Sequence, residues 1–282
     1  MAGSYLNIIT FLLTTIFYYI VLKPTINYNN LSDPSEFKSY EKNHYLYLAI
    51  YLLLVMMVQF IVNASVIAST CGGSLTQNLG SAGLVTIVPW LLIFGALITI
   101  LVIYPGFKSA FSDVIGYFYV ASSANKVLTT LLIDKDVQKQ LDKDITSTPE
   151  QKKAMQKTAD TIIKICGNTS ILINQMTPNN FLEYMEVLNP LMKEEYQGLG
   201  NGNDLKEQLF ELVVVKDNVG EAMWYIYTGL LLTSIVQLKI ASQGCANDAQ
   251  TMQKNYQAYL QNQEAIDAQQ QQATSTVYTI RN

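Results

Sequence analysis

The chain has 282 residues, half of them apolar and only 14% charged, with a net charge of −4 and a single arginine, Arg281. Soluble domains carry nearer a quarter charged residues, so the composition leans toward a membrane, and the lack of basic excess excludes a nucleic-acid footprint. Three isolated cysteines and one histidine, His44, offer neither the paired spacings of a structural zinc site nor a histidine-based triad, so no metal, cofactor or catalytic residue is assigned.

Charge is unevenly placed. Of the 40 charged residues (18 basic, 22 acidic), 28 fall between positions 108 and 221, and none falls between 45 and 107. A bilayer core needs roughly 20 apolar residues of helix, and the chain is read against that length. Residues 1–22 contain "YLNIITFLLTTIFYYIVL", stopped by Lys23-Pro24. With no basic flank and no small-x-small cleavage site, this segment is expected to be a retained transmembrane anchor rather than a signal peptide. Residues 23–44 read as a polar loop.

Residues 45–107 read as two transmembrane helices, about 45–69 and 84–104, joined by the glycine-rich "STCGGSLTQNLGSAG". A phosphate-binding loop needs a Gly-Lys-Ser/Thr ending and a preceding soluble strand. Neither is present, so these glycines read as turn formers at the membrane surface. The first of the two helices places Gln59 and Asn63 on one face with Ser65 close by. The three are candidate polar intramembrane contacts, a residue type that joins helices in lipid.

Residues 108–221 read as a helical extramembrane domain. Its opening, "SAFSDVIGYFYVA", follows a Pro-Gly break and is expected to lie at the membrane interface. Val127, Leu128, Leu131, Leu132, Val137, Leu141 and Ile145 then recur at helical spacing. "STPE" at 147–150 is a capping box opening a helix that Gly167 ends. Thr177-Pro178 opens another, with Phe181, Leu182, Met185, Leu188, Leu191 and Met192 as its apolar stripe and Pro190 as a point of division. Interleaved acids and lysines such as Asp134, Lys135 and Asp136 read as a solvated face. A last helix, 205–217, leads into a fourth transmembrane helix, 222–238.

The tail, 239–282, is rich in Gln, and Ala249, Met252, Tyr256, Tyr259, Gln263, Ile266, Gln270 and Ala273 alternate at spacings of three and four, a weak heptad seam. Lysines near the ends of the spans favour both termini on one side and the large domain on the cytoplasmic side. Cys71 and Cys245 then fall just past the second and fourth spans on one face. They are the candidate disulfide, which requires those spans to be neighbours. The expected fold is all-α: about four transmembrane helices with a small helical domain.

The anchor's end, "FYYIVLKPT", the abundance of tyrosine and asparagine, lysine in place of arginine, and the Gln-rich tail resemble membrane-spanning virion proteins of large nucleocytoplasmic DNA viruses. That resemblance implies a minor capsid or inner-membrane component, in a virion inner membrane or one derived from the host endoplasmic reticulum. The expected function is a structural, non-enzymatic scaffold joining a membrane to a protein assembly. Its expected partners are the lipid bilayer, and proteins bound through the helical domain and the tail. The alternative is a transporter or channel subunit that uses the polar residues of the second span.

Overall fold

A computed structural model describes residues 2–71, 79–132, 168–197, 203–243 and 249–275. Among them the architecture is all-α; the one β-type feature is an isolated bridge between Leu132 and Met192. In chain order the helices are α1 (Ala2–Phe17), α2 (Tyr28–Ser32), α3 (Pro34–Cys71), α4 (Leu79–Pro89), α5 (Gly95–Ile103), α6 (Ser109–Phe111), α7 (Tyr117–Leu131), α8 (Thr169–Gln175), α9 (Phe181–Leu188), α10 (Asn203–Gln243) and α11 (Ala249–Ser275). Three π-helical segments interrupt them. Tyr18–Leu22 extends α1, Trp90–Phe94 joins α4 to α5, and Ser112–Gly116 joins α6 to α7.

Four helices are long and apolar enough to cross a membrane, within Tyr5–Leu22, Pro34–Thr70, Leu79–Ile103 and Asp204–Ser242. They pack as a ring in which α1 touches α3 and α10, and α4 touches α3 and α10. Cross-pairs fix the directions. Asn7 meets Asn63 and Thr15 meets Tyr51, so α1 and α3 are antiparallel. Lys23 meets Glu221 and Phe11 packs against Gly229, so α10 opposes α1; Tyr51 meets Phe94 and Asn63 meets Thr86, so the α4–α5 rod opposes α3.

The polarity of this bundle is inside out. Leu13, Leu53, Met57, Leu84, Leu92 and Leu238 are exposed on its outer face, while Phe11, Tyr18, Tyr51, Trp90, Phe94 and Tyr225 fill the interior. Water penalises such a surface and lipid does not. The interior rings interlock, with Tyr18 stacked on Tyr51 at 4.4 Å and Phe94 edge-on to Phe11 at 6.0 Å. Gly229 on α10 makes room for Phe11, since a Cβ there would collide with the ring.

The second core lies outside the bundle. Val120, Leu128 and Leu131 of α7, Ile173 of α8, Phe181, Met185 and Leu188 of α9, and Leu209, Phe210 and Val213 of α10 form one buried cluster. It includes the apolar residues expected at 127–132 and, of the stripe at 181–192, Phe181, Met185, Leu188 and Met192, with Leu191 packed against it, but not Leu182. Pro190 does end α9, in a 3₁₀ turn at Asn189–Leu191. Thr177 and Asn180 close the turn before α9 on each other, the Thr177 N–H donating to Asn180 Oδ1 at 2.7 Å and the Asn180 N–H to Thr177 Oγ1 at 3.4 Å.

Residues 23–44, expected to be a polar loop, are instead largely helical, forming α2 and the first turns of α3. Asp33 opens α3 by accepting hydrogen bonds from the Ser35 N–H at 2.8 Å and the Ser35 hydroxyl at 2.7 Å, with Pro34 in the first turn. These bonds hold the Asp33 carboxyl below the usual carboxylate range. The segment is ordered by packing: Ile26 is buried in the extramembrane core, and Tyr28, Leu31, Phe37 and Tyr40 pack against it. The expected helix after "STPE" and residues 72–78 of the glycine-rich stretch lie outside the described residues, while Gly80 and Gly83, expected to form turns, lie inside α4.

Candidate functional site

Two polar clusters interrupt an otherwise apolar and aromatic bundle, one near each end. The first is ionic. Three of its four charges stand where an apolar run stops: Lys23 after the first, Lys108 after the third and Glu221 before the fourth. Their helices bring them together. Lys23 Nζ lies 2.8 Å from Glu221 Oε1, and Lys108 Nζ lies 3.0 Å from Glu221 Oε2 and 2.9 Å from Asp217 Oδ2. The Tyr19 hydroxyl donates to Glu221 Oε1 at 3.2 Å, and the Lys23 ammonium sits 4.8 Å from the centre of the Tyr19 ring.

Only 2% of the Glu221 side chain and 7% of the Lys23 side chain is exposed, so the cluster is held by mutual satisfaction rather than by solvent. The two lysines respond oppositely to this burial. Desolvation outweighs the single carboxylate beside Lys23 and lowers its ammonium below the ordinary lysine range. Desolvation pulls Lys108 the same way, but Glu221 and Asp217 together overcome it and raise that ammonium above the range. A cavity of about 80 Å³ adjoins the cluster, lined by Tyr40, His44, Asn218 and the ionic side chains among others. Its wall mixes polar and apolar side chains, and it is large enough for water. A further pair, Lys216 Nζ to Asp113 Oδ1 at 2.9 Å, neutralises the one acid in residues 109–125.

The second cluster is neutral and centred on Asn63. Asn7 Nδ2 donates to Asn63 Oδ1 at 2.7 Å, and Asn63 Nδ2 donates to Thr86 Oγ1 at 2.8 Å. Gln237 Nε2 approaches Asn63 Oδ1 at 3.4 Å, so one side chain of α3 meets α1, α4 and α10. Gln59 Nε2 donates to the Asn7 carbonyl at 3.1 Å and to Thr10 Oγ1 at 3.3 Å. Asn7 precedes Lys23, and Gln237 follows Glu221, by 16 residues each, so roughly 24 Å of helix separates the two clusters.

Of the candidate polar contacts, Gln59 and Asn63 thus face the bundle interior. Ser65 does not: it is exposed, and its hydroxyl donates to the Ile61 carbonyl of its own helix at 2.9 Å. Two residues past Asn63, it has turned to the outer face. Of the candidate disulfide, Cys71 ends α3, but its side chain and Cys245 lie outside the described residues. The second and fourth spans meet diagonally across the ring, through Tyr51 with Tyr225 and through Asn63 with Gln237. Among the described residues no group of three or more His, Cys, Asp or Glu side chains is placed to hold a metal ion.

Sequence reasoning missed the ionic cluster and the roles of Asn7, Thr86 and Gln237. The signal for the first was present: three charges, each at the edge of an apolar run. The second needed partners for Asn63 on other spans, and the lone polar residues inside those spans supply them.

Compared with protein-family models, with characterised proteins and with solved structures, the chain matches none. Its class rests on the fold itself: an all-α protein with four helices long and apolar enough to cross a membrane, joined to a helical extramembrane domain. The two clusters tie the spans together at either end.

Proposed function

We propose that this chain is a structural multi-pass membrane protein, a scaffold that links a membrane to a protein assembly such as a viral capsid. The observation that carries the reading is α10, a helix of 41 residues that contributes to both cores without a break. It joins the bundle and the extramembrane domain as one rod roughly 60 Å long, a continuous mechanical link between the two. The Tyr18, Tyr51, Trp90, Phe94 and Tyr225 rings occupy the bundle axis, and a salt-bridged cluster closes one end. Helix α11 presents Tyr256, Tyr259, Leu260 and Ile266 exposed, on a 27-residue helix suited to docking on partner helices. The viral setting rests on the resemblance of the anchor and composition alone.

The test combines partner and flux. Gentle detergent extraction of the full chain is expected to recover a stoichiometric protein partner that is lost when residues 249–282 are removed. Liposomes holding the purified chain are expected to stay as ion-tight as empty ones. Conductance above the empty-liposome level with no such partner overturns the scaffold in favour of a transport subunit.

A further inference from the structure

Just beyond the spans, an apolar surface stands exposed between the bundle and the second core. Tyr104, Val114, Phe118 and Tyr119 are 65%, 66%, 85% and 74% exposed, and Phe107 and Ile115 are exposed beside them. Isolated exposed apolar residues need no explanation, but a contiguous run of large ones does. Residues 109–125 carry no charge other than Asp113, which Lys216 neutralises.

The opposite face of the same segment is committed. A Cβ on Gly220 would lie 2.9 Å from Ser112 Cα, and a Cβ on Gly116 would lie 2.5 Å from the Lys216 carbonyl oxygen. The segment therefore runs antiparallel to α10 in backbone contact, with Val120 and Ala124 buried behind it. That contact sets its depth. Ser112 is level with Gly220, one residue from Glu221, where the apolar run of the fourth span begins. At a rise of 1.5 Å per residue, Val114 to Tyr119 lie roughly 5–12 Å outward of the Glu221 level. Side chains on a helix lean toward its N-terminus, and the N-terminus of α7 faces the bundle, so the Phe118 and Tyr119 rings lean back toward it. The headgroup layer reaches roughly 5–7 Å beyond the hydrocarbon, so Val114 and Ile115 lie at its level and the Phe118 and Tyr119 rings lean back into it.

The surface is also continuous with the outer face of the bundle. Tyr104 follows the end of α5 directly, and Phe107 stacks at 4.7 Å on Trp224, whose Nε1 donates to the Phe107 carbonyl at 3.1 Å. We infer that the face formed by Tyr104, Phe107, Val114, Ile115, Phe118 and Tyr119 is a lipid-contact surface seated in the headgroup layer, bracing the extramembrane domain against the bilayer. The inference rests on the four apolar helices crossing a bilayer, and not on the scaffold role.

The photoreactive residue p-benzoylphenylalanine, placed singly in the full chain in membranes, tests it. Position 118 replaces one exposed aromatic ring by another; position 92, exposed on the outer face of the bundle, and position 129, farther out along α7, are the references. On irradiation, phospholipid adducts are expected at 118 and 92 and not at 129, read as the mass shift of one lipid. Lipid at 92 with none at 118 overturns the inference and leaves the spans standing. An adduct at 118 to any polypeptide, this chain included, overturns it as well. No lipid at either 92 or 118 overturns the spans and the inference with them.

Discussion

Glu221 receives two lysines, a tyrosine hydroxyl and almost no solvent, which makes it the single atom group on which three chain segments depend. Removing one partner of a buried ion pair leaves the others charged without compensation and costs about 3–5 kcal/mol. Glu221→Gln is therefore expected to lower thermal stability strongly, with Lys23→Met partly restoring it by removing the surplus cation. Thermal unfolding in detergent checks this, and a Glu221→Gln melting temperature equal to that of the parent refutes the role. At the other end, Asn63→Leu leaves Asn7 and Thr86 without their shared partner. Interhelical hydrogen bonds in bilayers contribute roughly 0.6 kcal/mol on average and up to about 1.7, so the expected loss is smaller, about 1–2 kcal/mol. A cost as large as that of Glu221→Gln would show that Asn63 does more than join helices.

Among the elements, the π-helical segment Ser112–Gly116 and α10 approach to backbone contact, and small residues set that approach. Gly220→Ala would drive a methyl group into the Ser112 backbone, and overpacking of this kind costs roughly 1–3 kcal/mol. Gly80, also helical but with nothing within 4 Å of an added Cβ, is the control. Gly80→Ala is expected to be neutral or stabilising, since alanine favours helix by roughly 0.5–1 kcal/mol. Circular-dichroism melts of the two variants should diverge in sign, and equal shifts would refute the close approach. The elements were unequally legible in the sequence. Uncharged runs marked all four spans because lipid excludes charge whatever the packing. Residues 23–44 misled, because the apolar pairs Tyr28 with Leu31 and Phe37 with Tyr40 are too short a pattern to mark a helix across the Asp33-Pro34 break, and they are ordered by the core they meet. The π-helical segments left no local mark, since they arise where packing forces an extra residue into a turn.

For the whole molecule, antiparallel spans place the second core and the end of α10 at Gln243, from which the tail leaves, at opposite ends of the bundle. In sealed vesicles of one orientation, added protease is expected to cut either the extramembrane domain or the Gln-rich tail, and cleavage of both from one face overturns the topology. The ionic site was only half legible. Lys23, Lys108 and Glu221 each stood visibly at a boundary, but a contact such as Lys23 with Glu221, across 198 positions of chain, has no periodic signature. Asn63 was legible as a joint, while its partners depended on the axial register of three other helices.

Helix α10 has no proline and no π-helical segment along its length, so it has no built-in hinge. A helix longer than the local hydrocarbon thickness accommodates by tilting, and a rigid rod passes its tilt to whatever is attached. Bilayer thickness is thereby converted into the angle at which the outer domain stands from the membrane. In short-chain lipids the domain should lean farther than in long-chain lipids, a change that distance measurements between labels on α9 and the headgroup plane would resolve. An angle indifferent to chain length would locate a hinge in α10. A partner gripping that domain would feel the thickness of the membrane beneath it.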